Sequence, residues 1–183
     1  MIEVRFHGRG GQGAVTSAEL VALAAIDKGK FAQSMPAFGP ERRGAPVQAF
    51  LRVSEEKIRI RAEVKQPNIV VILDDSLLDV VDVLSGLKDG GLVVINTKLS
   101  EKEVREKLDY KGKIAVIDAL TIAMEELKVP ITNTTLIGAF LKASELVPFE
   151  DLITQIKARF NPKLAERNVN ALERAYRETT ISE

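Results

Sequence analysis

Gly8-Arg9-Gly10-Gly11-Gln12-Gly13 sets four glycines around an arginine and a glutamine, between a short apolar–polar alternation and a helix-like apolar pattern. Glycine admits positive φ and lets a ligand come close to backbone amides. A helix N-terminus adds unpaired N–H groups and the positive end of the helix dipole. Together they form an anion site, most often for phosphate, so this run predicts contact with a phosphorylated cofactor. Gly8-x-Gly10-x-x-Gly13 also matches the dinucleotide fingerprint. That fingerprint needs an acidic residue roughly 20 positions on to hold a ribose, and Lys30-Phe31-Ala32-Gln33-Ser34-Met35 supplies none. The match to a nicotinamide site is therefore partial. A tight strand-to-helix turn without a ligand is the other reading, although Arg9 and Gln12 are unusual choices for a turn alone.

Glu41-Arg42-Arg43 lies in a second loop, Pro36 to Pro46, rich in Pro and Gly. Adjacent arginines on an extended backbone point to opposite sides. One can pair with Glu41 while the other grips a carboxylate or phosphate bidentately. Met35, Ala37 and Phe38 beside these charges favour an interface, where arginine and aromatic residues are enriched; a solvated charged loop is the plainer alternative. Asp74-Asp75 follows an apolar run, at the strand end where open α/β sheets bind ligands. Paired carboxylates there could hold a metal or serve as acid and base, but a helix cap is the preferred reading. Asn133-Thr134-Thr135 also reads as a cap. His7 adjoins the glycine loop and could touch a ligand or order the loop; no partner in the sequence makes it a general base.

These residues need a scaffold. Ile2–Phe6 alternates and predicts a strand. Ala14–Lys28 predicts a helix that stops at Gly29. Phe31–Met35 reads as a short extended stretch. Val47–Val53 and Lys57–Ala62 both alternate around Ser54-Glu55-Glu56, which predicts an antiparallel hairpin. Ile69–Leu73 and Gly91–Ile95 have the unbroken apolar character of strands buried on both faces, with a helix predicted over Leu77–Leu84 between them. Glu101–Leu108 predicts a charged helix, Ile114–Ile117 a strand, and Asp118 the start of a helix to Leu127. Helices are then predicted over Thr135–Leu146, Phe149–Phe160 and Leu164–Glu178. The sum is a layered, Rossmann-like α/β fold with a mostly parallel sheet, an antiparallel hairpin and a helical C-terminal third. No linker or repeat divides it, so residues 1–183 read as a single domain.

Composition narrows the chemistry. Lys+Arg and Asp+Glu number 26 each, a balance that argues against a general nucleic-acid binder, whose affinity rests on neutralising phosphates. With no cysteine, the chain can form neither disulfides nor thiolate-ligated zinc or iron–sulfur centres. One histidine excludes a polyhistidine metal site. No secretory signal and no membrane-spanning apolar stretch is visible, so the expected location is the cytoplasm.

Phe6 to Thr16, then Phe38-Gly39-Pro40-Glu41-Arg42-Arg43-Gly44-Ala45-Pro46-Val47, then Asn133-Thr134 with Gly138-Ala139-Phe140, and near the C-terminus Lys163 to Asn168 together resemble the gamma subunit of 2-oxoacid:ferredoxin oxidoreductases. The pyruvate synthase and 2-oxoisovalerate enzymes are the nearest kinds. The resemblance runs almost end to end, and two unusual loops occur in the family's order. It implies a gamma-type domain of an enzyme with alpha, beta and delta partners. That enzyme decarboxylates a 2-oxoacid on thiamine diphosphate with Mg and passes electrons through iron–sulfur clusters to ferredoxin. The acyl group goes to coenzyme A. By this resemblance thiamine diphosphate, Mg and the clusters belong to partner subunits. Coenzyme A contact falls to Gly8, Arg9, Gly10, Gly11, Gln12 and Gly13, and a subunit or coenzyme contact to Glu41, Arg42 and Arg43. No catalytic residue and no metal site is expected on this chain, and the isolated chain is expected to be inactive. The smaller subunit of the indolepyruvate enzyme, a stand-alone nucleotide-binding module and a purely structural subunit are the alternative readings.

Overall fold

In the computed structural model, residues 1–37 and 43–183 are described. One seven-stranded sheet organises the chain, in the order β2-β3-β1-β4-β5-β6-β7. Its strands are β1 (Ile2–Arg9), β2 (Phe31–Pro36), β3 (Pro46–Ser54), β4 (Ile69–Ile72), β5 (Leu92–Asn96), β6 (Lys113–Ile117) and β7 (Thr180–Ser182). β1, β4, β5 and β6 pair in parallel. β3 runs against both β1 and β2, and β7 runs against β6. Five strands therefore point one way and two the other, as a mostly parallel sheet requires.

Period-two alternation divides the core between the two faces. Val4, Phe6, Ile69, Val71 and Val94 pack under the helices α1 (Ala14–Asp27), α3 (Ala119–Glu126), α4 (Asn133–Ser144), α5 (Phe149–Arg159) and α6 (Pro162–Glu178). The Phe6 and Phe140 rings meet there at 6.1 Å. On the opposite face Val70, Ile72, Val93 and Ile95 pack under Leu77 and Val83 and under Val104 of α2 (Glu101–Leu108). Both faces of β4 and β5 are covered, so these strands are continuously apolar.

The antiparallel part of the sheet is present but built from other residues than the hairpin reading assigned. Phe31–Pro36 pairs with Pro46–Ser54, from Phe31 opposite Ser54 to Pro36 opposite Ala49. Lys57–Ala62 forms no strand. β3 already has β1 on one edge and β2 on the other, so no edge is left for a hairpin partner. The helix expected over Leu77–Leu84 is instead a single 3-10 turn, Asp75–Asp79. It ends at the β-branched pair Val80-Val81, which disfavours further helix. Asn133 does not cap α4 from outside; Thr132 holds the cap position and Asn133 is the first helical residue. β7 carries no sequence signal: three residues are too few for a periodic pattern.

Candidate functional site

The carboxyl ends of β1, β4, β5 and β6 lie along one edge of the sheet, the edge at which open α/β sheets take ligands. Arg9, Asp74, Asn96 and Asp118 stand there in strand order. Asp118 caps α3 by accepting from the Thr121 N–H at 2.9 Å. Asn96 ties the edge laterally, donating to the Leu73 carbonyl at 2.9 Å and accepting from the Leu120 N–H at 3.2 Å.

The glycine loop is built around the Gln12 side chain. Its carbonyl oxygen accepts from the Arg9 N–H at 2.7 Å, and its amide donates to Asp74 Oδ2 at 2.7 Å. The Arg9 guanidinium lies 3.3 Å from the same carboxylate oxygen. It also donates to Ser76 Oγ at 2.8 Å and to the Gly44 carbonyl at 3.0 Å. Ser76 returns both its hydroxyl and its N–H to Asp74 Oδ1. Burial pushes the Asp74 carboxyl up. The Ser76 and Gln12 hydrogen bonds, with the Arg9 charge, outweigh that and hold it below its ordinary value. Asp74 is thus the cap of its 3-10 turn and also the counter-charge of the glycine loop. The second role, linking positions 65 residues apart, has no sequence signal. Asp75 accepts from the Thr97 hydroxyl at 2.6 Å. Among the described residues, no group of three acidic, histidine or cysteine side chains converges as a metal site.

Gly11 and Gly13 need their residue type for different reasons. Gly11 has φ +96 and is exposed, and nothing lies within 4 Å of where a Cβ would sit. Gly13 has φ +83, and a Cβ there would run into the Asn133 side chain, with Asn133 Cβ and Cγ at 3.1 Å. Gly13 also precedes α1, whose first turn carries amides that a helix cannot satisfy internally. The first helical bond runs from the Ser17 N–H to the Gly13 carbonyl at 2.9 Å. The Ser17 hydroxyl reaches the Asn133 carbonyl at 3.4 Å. The N-termini of α1 and α4 therefore meet at Gly13, and Asn133 joins the site from a position that sequence spacing did not connect to it.

The two unusual loops are one structure where the chain is described. Gly10 pairs with Arg43 in a parallel bridge. The Gly10 N–H donates to the Ala45 carbonyl at 2.9 Å, and the Gly44 N–H to the Gly10 carbonyl at 3.1 Å. Arg43 is exposed at this seam. Glu41 and Arg42 lie outside the described residues.

His7 is not part of the site. It is 1% exposed, and its Nε2 accepts from Arg5 Nε at 2.9 Å, which puts the ring proton on Nδ1. Burial, reinforced by the Arg5 charge, lowers its pKa to about 3. Arg5 in turn donates to the Val83 and Ser85 carbonyls at 3.1 and 2.6 Å. This pair knits β1 to the segment after the 3-10 turn.

What the edge offers a ligand is a backbone cradle with a neutralised rim. Gly11 is open, α1 starts directly after the loop with first-turn N–H groups that a helix cannot satisfy internally, and the one cation of the loop is already shared with Asp74. These features fit a phosphorylated ligand held mainly by N–H groups.

The family described as pyruvate ferredoxin/flavodoxin oxidoreductase matches residues 3–178. The chain is 53% identical over the full length of both chains to the pyruvate/ketoisovalerate oxidoreductases common subunit gamma of Thermococcus kodakarensis. It is 50% identical to the pyruvate synthase subunit PorC of Methanothermobacter thermautotrophicus, across 97% of this chain and 96% of that one. Among solved structures it is similar to the pyruvate oxidoreductase subunit PORC of Thermotoga maritima. The TM-score is 0.91 at 38% identity, covering 100% of this chain and 98% of that one.

Proposed function

This chain belongs to the pyruvate ferredoxin/flavodoxin oxidoreductase family as a gamma subunit, and we propose that its work there is to hold coenzyme A at the glycine loop. The complete enzyme converts a 2-oxoacid, coenzyme A and oxidised ferredoxin into acyl-coenzyme A, carbon dioxide and reduced ferredoxin. Pyruvate is the proposed 2-oxoacid, in keeping with the names its relatives carry. Residues 1–183 act as a single domain in the cytoplasm beside alpha, beta and delta partners.

The observation that carries this reading is the conformation of Gly11 and Gly13 at the start of α1. Both have positive φ, and the space over Gly11 is clear. An anion can therefore approach the backbone there with no side chain in its way. The described end of the arginine loop is hydrogen-bonded to this cradle through Gly44 and Ala45, which supports the proposal that the loop's Glu41, Arg42 and Arg43 serve as a subunit or coenzyme contact. With no cysteine in the chain, the iron–sulfur clusters belong to partner subunits; so do thiamine diphosphate and its Mg. The gamma chain contributes binding and assembly.

Gly11→Val in the assembled enzyme tests the proposal. Its side chain would stand in the open space where the ligand approaches. The expected result is a raised KM for coenzyme A with the KM for the 2-oxoacid unchanged. An unchanged KM for coenzyme A in a properly assembled variant would refute it. The isolated chain, assayed with pyruvate, coenzyme A and a viologen acceptor, should give no turnover; robust turnover would overturn the division of labour.

A further inference from the structure

The sequence from Lys57 to Ala62 has the alternation of a β-strand, yet it forms none. From Lys57 to Gln66 no backbone N–H or C=O takes part in a backbone hydrogen bond among the described residues. The segment is not loose chain thrown out from the fold. Ser54 ends β3 at one side, and Val64, 2% exposed, anchors the other. Between them Ile60 stands 47% exposed. Lys57, Arg59, Arg61 and Lys65 are exposed beside it, with Glu63 the one carboxylate among them. None of these charges forms an ion pair among the described residues, whereas Glu55 just before them is held by Lys30 at 3.1 Å.

A strand-coded stretch with unpaired backbone is a template for another chain. Local pattern and global fold disagree here because both edges of β3 are taken, and natural sequences keep such a conflict where something else resolves it. We propose that Lys57–Ala62 is a docking strand for a partner subunit of the same oxidoreductase. It would pair by β-addition with an acidic extended segment of that subunit. Backbone bonds supply the attachment, Ile60 gives an apolar anchor, and the cations at alternate positions select a partner strand with carboxylates facing them. This inference rests on membership of a multisubunit family and not on coenzyme A binding.

The test is hydrogen exchange on the full gamma chain alone and in the assembled complex. Amides of Lys57–Ala62 should exchange freely in the isolated chain and become protected about a hundredfold or more on assembly. Ile60→Pro removes a donor that the isolated fold does not use. It should leave the melting temperature of the isolated chain unchanged and weaken assembly by about tenfold or more. Arg59→Glu with Arg61→Glu should do the same, and wild-type assembly should weaken with added salt. Equal exchange in both states, or normal assembly of both variants, would overturn the proposal. Protection that appears in the isolated chain together with a dimer in light scattering would overturn it too, because the occupant would then be a second copy of this chain. Loss of coenzyme A binding with assembly intact would bear on the glycine loop and leave the docking strand standing.

Discussion

Replacing Gly13 by alanine strains two things at once, and the structure allows them to be separated. A Cβ at φ +83 places an L-residue in the left-handed region, which costs about 1–2 kcal/mol. The same Cβ collides with Asn133. That side chain is held in place, because its Oδ1 accepts from the Thr134 N–H at 2.8 Å. Forcing it off its rotamer adds about 0.5–1.5 kcal/mol. Gly13→Ala should therefore destabilise the chain by about 1.5–3.5 kcal/mol, which at about 2–4 °C per kcal/mol for a domain of this size lowers the melting temperature by roughly 3–14 °C. Gly11→Ala carries the backbone cost alone, since nothing lies within 4 Å of its Cβ position. Asn133→Ala in the Gly13→Ala background removes the colliding amide but keeps the residue's Cβ, so it should recover part of the steric cost, giving a coupling of up to about 0.5–1.5 kcal/mol in a double-mutant cycle. Calorimetry on the four chains measures it. Strict additivity would mean that Gly13 and Asn133 do not press on one another, and would refute the convergence of α1 and α4 at the site.

His7 should stay neutral through ordinary buffers. As the only histidine, its imidazole resonances are unambiguous, and they should not titrate between about pH 8 and about pH 5, with protonation at about 3. The unfolded chain takes up that proton near the ordinary histidine value, so His7 should cost stability progressively as pH falls from about 6.5 toward the folded value, and His7→Gln should flatten that slope. Asp74 has the opposite kind of partner but the same sign. Its carboxyl is held low in the fold, so its contribution is present above the ordinary aspartate range and is lost as acid protonates it. Asp74→Asn should therefore be less stable than wild type near neutrality and lose less on acidification, as read by thermal melts across pH. Asp118→Ala removes the cap of α3 and should cost about 1 kcal/mol, a fall in melting temperature of about 2–4 °C.

The glycine loop, the parallel core and the helical last third were legible because each rests on short-range rules. Gly8 to Gly13 marks a turn that only glycine makes easily, and Ile69–Leu73 and Gly91–Ile95 are apolar because both faces are covered. The capping role of Asp74 followed from its neighbours in sequence. Its pairing with Arg9 and Gln12 did not, nor did the contact of Asn133 with Gly13. Both depend on which strand ends and helix ends become neighbours, and sheet order decides that. The hairpin reading of Lys57–Ala62 failed for the same reason: alternation reports a strand's suitability, whereas pairing depends on a free edge. Phe31–Pro36 occupies the edge that the hairpin would have used. Arg9 looked like an uncommitted anion ligand in sequence. In the fold it is shared with Asp74, Ser76 and Gly44, so it is not uncommitted.

The proposed seat of coenzyme A is the start of α1. Hydrogen exchange on the assembled enzyme, with and without coenzyme A, addresses that position residue by residue. Amides from Gly11 to Thr16 should slow on addition of coenzyme A, with Lys57–Ala62 already protected in both states. Protection by coenzyme A confined to other parts of the assembly, with Gly11 to Thr16 exchanging as before, would contradict it.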